Sequence, residues 1–358
     1  MATVFLHFSV PSREVLLEPP SEWAAQIRAG VQQLAAAPIP TREDGGTDSG
    51  LPFRDERLFV LFSLPDSLMS SSTLKLSFDE VAHFCQWSYA QAWGEAVRLD
   101  HLLLNVNVLL VPGSDGIYDI IKAESDPDSK GSRNVMLVGE YLSSLPMDSK
   151  PTSPPNLTNA PTSTPTTPTS SSNLPQHSVV ALGGTFDHLH AGHKILLSSA
   201  CALASRKLII GITSDSMLRS KAEPALLESI EIRKERVREF CELFVRALRP
   251  GATTATGEKG ALELEIVTLE DVAGPAGSEA DLQALVLTEE TLAGGKAIAE
   301  IREGRGLGSL REYVIGVLGA KGETDLGGVG RDAKELAAAK VGSTAIRKWL
   351  AAQRRGGE

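Results

Sequence analysis

The sequence predicts an α/β protein: a doubly wound parallel sheet of five strands in residues 177–358, preceded by a smaller α+β domain in residues 1–148 and a disordered linker in residues 149–176. Three observations carry that prediction. From residue 178 onward, apolar runs of strand length alternate with stretches of helical periodicity, the pattern of βαβ units. Between 149 and 176, 20 of 28 residues are Pro, Ser or Thr, which leaves almost no aliphatic surface to offset the entropy of ordering. The whole chain has 358 residues, 42% hydrophobic and 22% charged, enough for two domains that each bury a core.

Taken in order, Phe5 to Val10 and Leu58 to Leu64 read as strands, and Trp23 to Ala36 and Phe84 to Val97 as helices. Gly45 to Gly50 reads as a loop, and Leu102 to Val111 is an apolar run long enough for a buried strand. His7, His83 and His101 are isolated, and no catalytic constellation stands out before the linker.

After the linker the elements sharpen. Val179 to Leu182 is a β-branched apolar run that stops at Gly183-Gly184. A polar loop follows, and then Ile195, Leu196, Ala200, Leu203 and Ala204 recur at helical spacing. Leu208 to Thr213 is the second strand, Glu228 to Leu248 an amphipathic helix, and Leu264 to Leu269 the third strand. Ala284 to Leu287 is the fourth strand, a helix covers 290–303, Tyr313 to Leu318 is the fifth strand, and the last helix runs from Ser343 to Ala352. Such alternation gives a Rossmann-like sheet with helices on both faces, and ligands bind beyond the carboxyl ends of its strands. The loop 183–193 lies there.

Three of the seven histidines, His188, His190 and His193, crowd into that loop and the first helical turn. A helix start offers unpaired N–H groups and the positive end of the dipole, so phosphate is its natural ligand. His190 and His193 stand three apart, on one face once the helix begins. Gly192 between them lets a phosphate approach the backbone. Imidazoles there can donate to oxygens on which charge grows during group transfer, which makes the site anion-stabilising and not nucleophilic. A zinc site is disfavoured, because the motif holds no cysteine and only Asp187 adds a carboxylate.

Composition excludes other classes. With 35 basic and 45 acidic residues the net charge is −10, which argues against nucleic-acid or acidic-membrane binding. No apolar run is long enough to span a bilayer, and the first residues lack a basic n-region, with Glu14 and Glu18 close behind. Cys85, Cys201 and Cys241 are scattered, as in a protein of the reducing cytoplasm.

Gly184-Thr185-Phe186-Asp187 followed by His190-Ala191-Gly192-His193 is similar to the signature of the nucleotidylyltransferase superfamily. Its members join a nucleoside monophosphate to a phosphate or carboxylate acceptor and release pyrophosphate. Downstream, Gly274-Pro275-Ala276-Gly277-Ser278, Leu285 to Thr291, and Gly294-Gly295 with Ile298 resemble the eukaryotic-type phosphopantetheine adenylyltransferases, over essentially all of 178–350.

That resemblance implies transfer of AMP from ATP to 4′-phosphopantetheine, giving dephospho-CoA and pyrophosphate in coenzyme A biosynthesis. The resemblance implies a catalytic role for His190, His193 and Lys221, with Arg219 as the alternative cation. It implies substrate contacts from Gly183, Gly184, Thr185, Phe186 and Asp187, and from Ser343, Thr344 and Arg347 at the last helix. Lys296 and Arg302 are candidates to replace the arginine arm of bacterial relatives, where this chain reads Thr288-Glu289-Glu290-Thr291. Mg²⁺ is implied with ATP and no protein-held metal. No Gly-x4-Gly-Lys-Ser/Thr occurs, so a following dephospho-CoA kinase step is not expected. A cytidylyltransferase, another acceptor, or a scaffold or sensor of the coenzyme A pathway are the competing readings. Residues 177–358 are expected to fold and work alone, and residues 1–148 to dock other coenzyme A enzymes.

Overall fold

The fold comes from a computed structural model that describes residues 2–36, 56–70, 73–125, 173–250, 261–316 and 342–356, with 134–138 as backbone. The Gly45–Gly50 loop and most of the 149–176 linker lie outside the described residues.

The first half is built on β1 (Ala2–Ser9), α1 (Arg13–Leu17), α2 (Ser21–Ala35), β2 (Arg57–Leu64), the short pair β3 (Met69–Ser70) and β4 (Thr73–Leu74), α3 (Phe78–Arg98), β5 (Asn105–Pro112), α4 (Asp115–Ser125) and β6 (Asn134–Val138). Four of these strands form one sheet in the order β5-β2-β1-β6, every pair parallel. This corrects the expected α+β domain: the half is α/β. Between successive strands of this sheet the chain passes through helices (α1 and α2, then α3, then α4), so none of its neighbours is joined by a hairpin. α3 starts on a capping box, in which the Ser77 hydroxyl accepts from Glu80 N and the Glu80 carboxylate accepts from Ser77 N.

The second half follows the expected alternation. It comprises β7 (His177–Gly184), α5 (Ala191–Leu203), β8 (Ala204–Thr213), α6 (Ile230–Leu248), β9 (Glu263–Leu269), β10 (Ala284–Thr288), α7 (Leu292–Gly304), β11 (Arg311–Ile315) and α8 (Ser343–Gly356). The sheet order is β11-β10-β7-β8-β9, all parallel. Strand order therefore reverses between β7 and β10, and a crevice opens beyond their carboxyl ends. The loop after β7 enters that crevice.

The halves share a core. Apolar side chains of β1, β2, α3 and β5 form one buried cluster with those of β7, α5, β8 and α6. α5 shows why: every residue from Lys194 to Leu203 is buried, so the helix has no solvent face. Its sheet-facing side is covered by β7 and β8, and its outer side by α3; α6 packs in turn on β5. Polar ties cross the same boundary, from Gln86 Nε2 to the Gly316 carbonyl at 2.9 Å and from Arg246 to Glu124 at 2.7 Å. Leu174, expected in the disordered linker, is buried, and its N–H donates to the Leu74 carbonyl at 3.0 Å. Among the described residues no helix is long and apolar enough to cross a membrane.

Candidate active site

β7 ends in two glycines because the chain must turn sharply against neighbours. A side chain on Gly184 would meet the Phe186 ring at 3.2 Å, and one on Gly183 would meet Leu269 at 3.3 Å. Beyond them Phe186 and His188 both take positive φ, at 50° and 47°. Neither is glycine, so the loop holds backbone strain that the surrounding packing must sustain. Phe186 supplies part of that packing: its ring is fully buried and lies 5.1 Å from the His193 ring.

α5 begins at His190, which is extended and makes no side-chain cap. The first amides of the helix are thus left for an anion. The rings of His190 and His193 stack with centroids 3.8 Å apart and planes 20° from parallel. Gly192 makes room for this, since a Cβ there would lie 3.3 Å from the His190 ring. The glycine therefore accommodates the histidine as much as any ligand. Burial, reinforced by the His188 imidazole, lowers the His193 pKa to about 3, so the ring is neutral near pH 7. Its Nδ1 is buried with no hydrogen-bond partner among the described residues. A neutral imidazole still offers one N–H to an oxyanion.

His188 turns the other way, its Nε2 lying 2.8 Å from the Leu226 carbonyl. With Asp187 and Glu228 it forms a cluster of metal-ligand type. The donor atoms are already committed. Asp187 accepts from Glu228 N at 2.9 Å and from Arg347, while Glu228 accepts from His188 N and Arg236. With Arg236 and Arg347 supplying positive charge, the chemistry of this set does not suit a divalent cation.

The expected site residues divide into three groups. Gly183, Gly184, Thr185, His190 and His193 come together at the crevice. Arg219 and Lys221 stand exposed on the turn after β8. Asp187, Arg347 and Arg302 depart from the expectation of substrate contact. The Asp187 carboxylate is wholly buried and ion-paired with Arg347, whose Nε donates to the Ala222 carbonyl at 2.8 Å. Ser343 Oγ donates to the Asp187 carbonyl at 2.7 Å, and Thr344 Oγ1 accepts from Arg347 at 3.2 Å. These side chains fasten the start of α8 to the loop. Arg302 sits in the last turn of α7, at the opposite end of the sheet. It donates to the carbonyls of Gly308, Ala276 and Glu279. It braces a loop.

Sequence reasoning missed Arg233. It is fully buried in the first turn of α6, and its guanidinium donates to the carbonyls of Thr185 at 2.7 Å, Thr213 at 2.8 Å and Glu228 at 3.0 Å, and to Asp215. It fixes the ends of β7 and β8 from below. The readable signal was its position four residues before Val237 on the apolar stripe of the helix.

Residues 181–307 match the Cytidylyltransferase-like family. A phosphopantetheine adenylyltransferase of Saccharomyces cerevisiae is 39% identical over 145 residues, 40% of this chain and 43% of that protein. An uncharacterized protein of Schizosaccharomyces pombe is 36% identical over 173 residues, 48% of each. A phosphopantetheine adenylyltransferase of Methanopyrus kandleri is 38% identical over 137 residues, 38% of this chain and 76% of that protein. The matched region thus spans less than half of the two fungal relatives and about three quarters of the archaeal one.

Proposed function

The chain belongs to the phosphopantetheine adenylyltransferase family, and we propose that it transfers AMP from ATP to 4′-phosphopantetheine, giving dephospho-CoA and pyrophosphate in the cytoplasm. The observation that carries this reading is the stacked His190–His193 pair at an uncapped helix start, with His193 held neutral beside the switch point of the sheet. An oxygen of the acceptor phosphate attacks the α-phosphorus of ATP in line. The new P–O bond forms as the bond to the β-phosphate oxygen breaks, and the electron pair leaves with pyrophosphate. No side chain needs to bond covalently to the nucleotide.

The work of the protein is therefore positioning and charge stabilisation. The His193 N–H meets oxygens of the α-phosphate as they gain charge, and His190 stands beside it against the triphosphate. Thr185 holds the acceptor phosphate. The amides at the starts of α5 and α8 receive anionic oxygens, and Lys221, with Arg219 near it, bridges the two substrates. Mg²⁺ enters with ATP as part of the substrate.

Purified full-length chain is given ATP and 4′-phosphopantetheine, and pyrophosphate release is followed with product mass. Dephospho-CoA formed with ATP and not with CTP is the expected result. Turnover with CTP would move the reading to a cytidylyltransferase. Tight ATP binding with no pyrophosphate from any acceptor would leave a sensor or scaffold. Docking of other coenzyme A enzymes by residues 1–148 is a separate proposal, tested by pull-down with the full chain.

A further inference from the structure

The lysine next to His193 is held by the other half of the molecule. Lys194 Nζ donates to Asn105 Oδ1 at 2.5 Å, the Val106 carbonyl at 2.7 Å and Asn107 Oδ1 at 2.9 Å. An ammonium has three protons, and all three are taken by one strand, β5 of the first half. The side chain is 3% exposed, and the Phe240 ring of α6 lies 5.2 Å from the charge. Its N–H donates to the His190 carbonyl at 3.1 Å, so the same residue closes the turn that carries both histidines.

The second helix aimed at the loop is held from the same side. Asp100, just past α3, accepts from Trp349 Nε1 at 2.5 Å and Gln353 Nε2 at 2.9 Å on α8. The start of that helix carries the Ser343 and Arg347 bonds to Asp187.

We propose that the first half is a working part of the transfer site, with Asn105 and Asn107 as positioning residues that set the His193 ring through Lys194. A lysine needed only for packing would sit more cheaply as leucine or methionine, because a buried ammonium without a carboxylate is costly. The groups facing it from the surrounding elements are Asn105, Val106 and Asn107 on β5, Phe240 and Arg236 on α6, and Arg57 on β2. Its partners are neutral and its charged neighbours like-signed. Burial together with Arg57 and Arg236 lowers its pKa to about 7, and the three acceptors of β5 are the groups that hold its Nζ. Losing one of them lets the first turn of α5 shift, and a displacement of about 1 Å at a reacting group can cost about a hundredfold in rate.

The proposal rests on the adenylyl-transfer reading for its kinetic readout only. In the full chain, Asn107→Leu is expected to lower kcat about tenfold or more, with KM for ATP within about twofold. Asn107→Asp, which still accepts from Nζ, is expected to restore most of the rate. Histidine-ring NMR supplies a readout free of the reaction: the His193 signals should move in Asn107→Leu and return in Asn107→Asp. A wild-type chain that forms no dephospho-CoA would sink the adenylyl-transfer reading, while the ring signals would still decide this one. Folded Asn107→Leu with unchanged kcat and unmoved His193 signals would overturn it. If Asn107→Leu does not fold, Asn105→Ala is measured the same way, and lost stability with unmoved His193 signals would equally overturn it.

Discussion

The two halves of the molecule share one four-strand order, and among the described residues only the second carries a histidine-bearing loop at the end of its first strand. In strand order from each half's first strand, β5-β2-β1-β6 and β9-β8-β7-β10 are the same arrangement. They part at the end of the first strand. β7 runs into Gly183-Gly184, two strained loop residues and an uncapped helix with two stacked histidines. β1 runs into Val10-Pro11-Ser12 and the five-residue α1, whose Arg13 is paired with Glu80 at 2.7 Å. A proline has no N–H to give a phosphate, and so short a helix has little dipole to offer. Strand order gives both halves the same place beyond the carboxyl ends, and the two differ in what their loops offer there. The first half grips the helices of the second through Lys194, Trp349 and Gln353.

The severest way to break this comparison is to separate the halves. Residues 177–358 produced alone would bare the α3-facing side of α5 and strip the acceptors from Lys194. The structure thus runs against self-sufficiency, and the fragment is expected to aggregate or lose its near-UV circular dichroism. A soluble, folded, active fragment would mean that the shared core is dispensable.

Equivalent ion pairs at the two strand ends come next. Asp187→Ala leaves the Arg347 guanidinium buried without its carboxylate, a loss of about 3–5 kcal/mol. Arg13→Ala removes a partly exposed pair and should cost about 1 kcal/mol or less. Denaturant melts of the two variants measure the gap, and equal midpoints would contradict the role of Asp187 as an anchor.

Histidines offer the third contrast. His193→Ala should lower kcat about 10²- to 10³-fold with ATP affinity little changed, the size expected for one lost oxyanion donor. His7, bonded to Ser63 in the first sheet at 2.9 Å, should be replaceable by alanine with turnover intact. Single-turnover rates and ATP titrations compare them.

The last contrast is in pH dependence. Because the folded-state pKa of His193 lies near 3 against an ordinary 6.5, the unfolded chain takes up the proton first. This contribution to stability is complete above about pH 6.5 and is lost as pH falls toward 3. The slope of stability between pH 6.5 and 4 should therefore be shallower in His193→Ala.

Much of the second half was legible because strand and helix periodicities are local. So was the histidine motif, whose members stand within a few residues of one another. The first half misled because α4 and β6 were not read as elements, and they supply the fourth parallel strand. Long-range pairings were invisible for a different reason. Nothing local to Asp187 announces Arg347, and nothing near Lys194 announces Asn105 and Asn107. A partial signal did exist, in two asparagines at alternate positions of an otherwise apolar strand. A polar residue repeated on a buried face implies a polar partner. Arg302 shows the converse: its charge suggested a ligand, and only the geometry revealed that backbone carbonyls consume it.

The pairing of Asp187 with Arg347 joins positions 160 apart. A ribosome adding about 5–20 residues each second delivers the aspartate roughly 8–30 s before its arginine. Through that interval the nascent loop has a carboxylate with no counter-charge to bury beside, and the first turn of α8 does not yet exist. The loop therefore reaches its anchored form only after residue 347 has been added, and the same long closure places completion of this anchor late in refolding from denaturant.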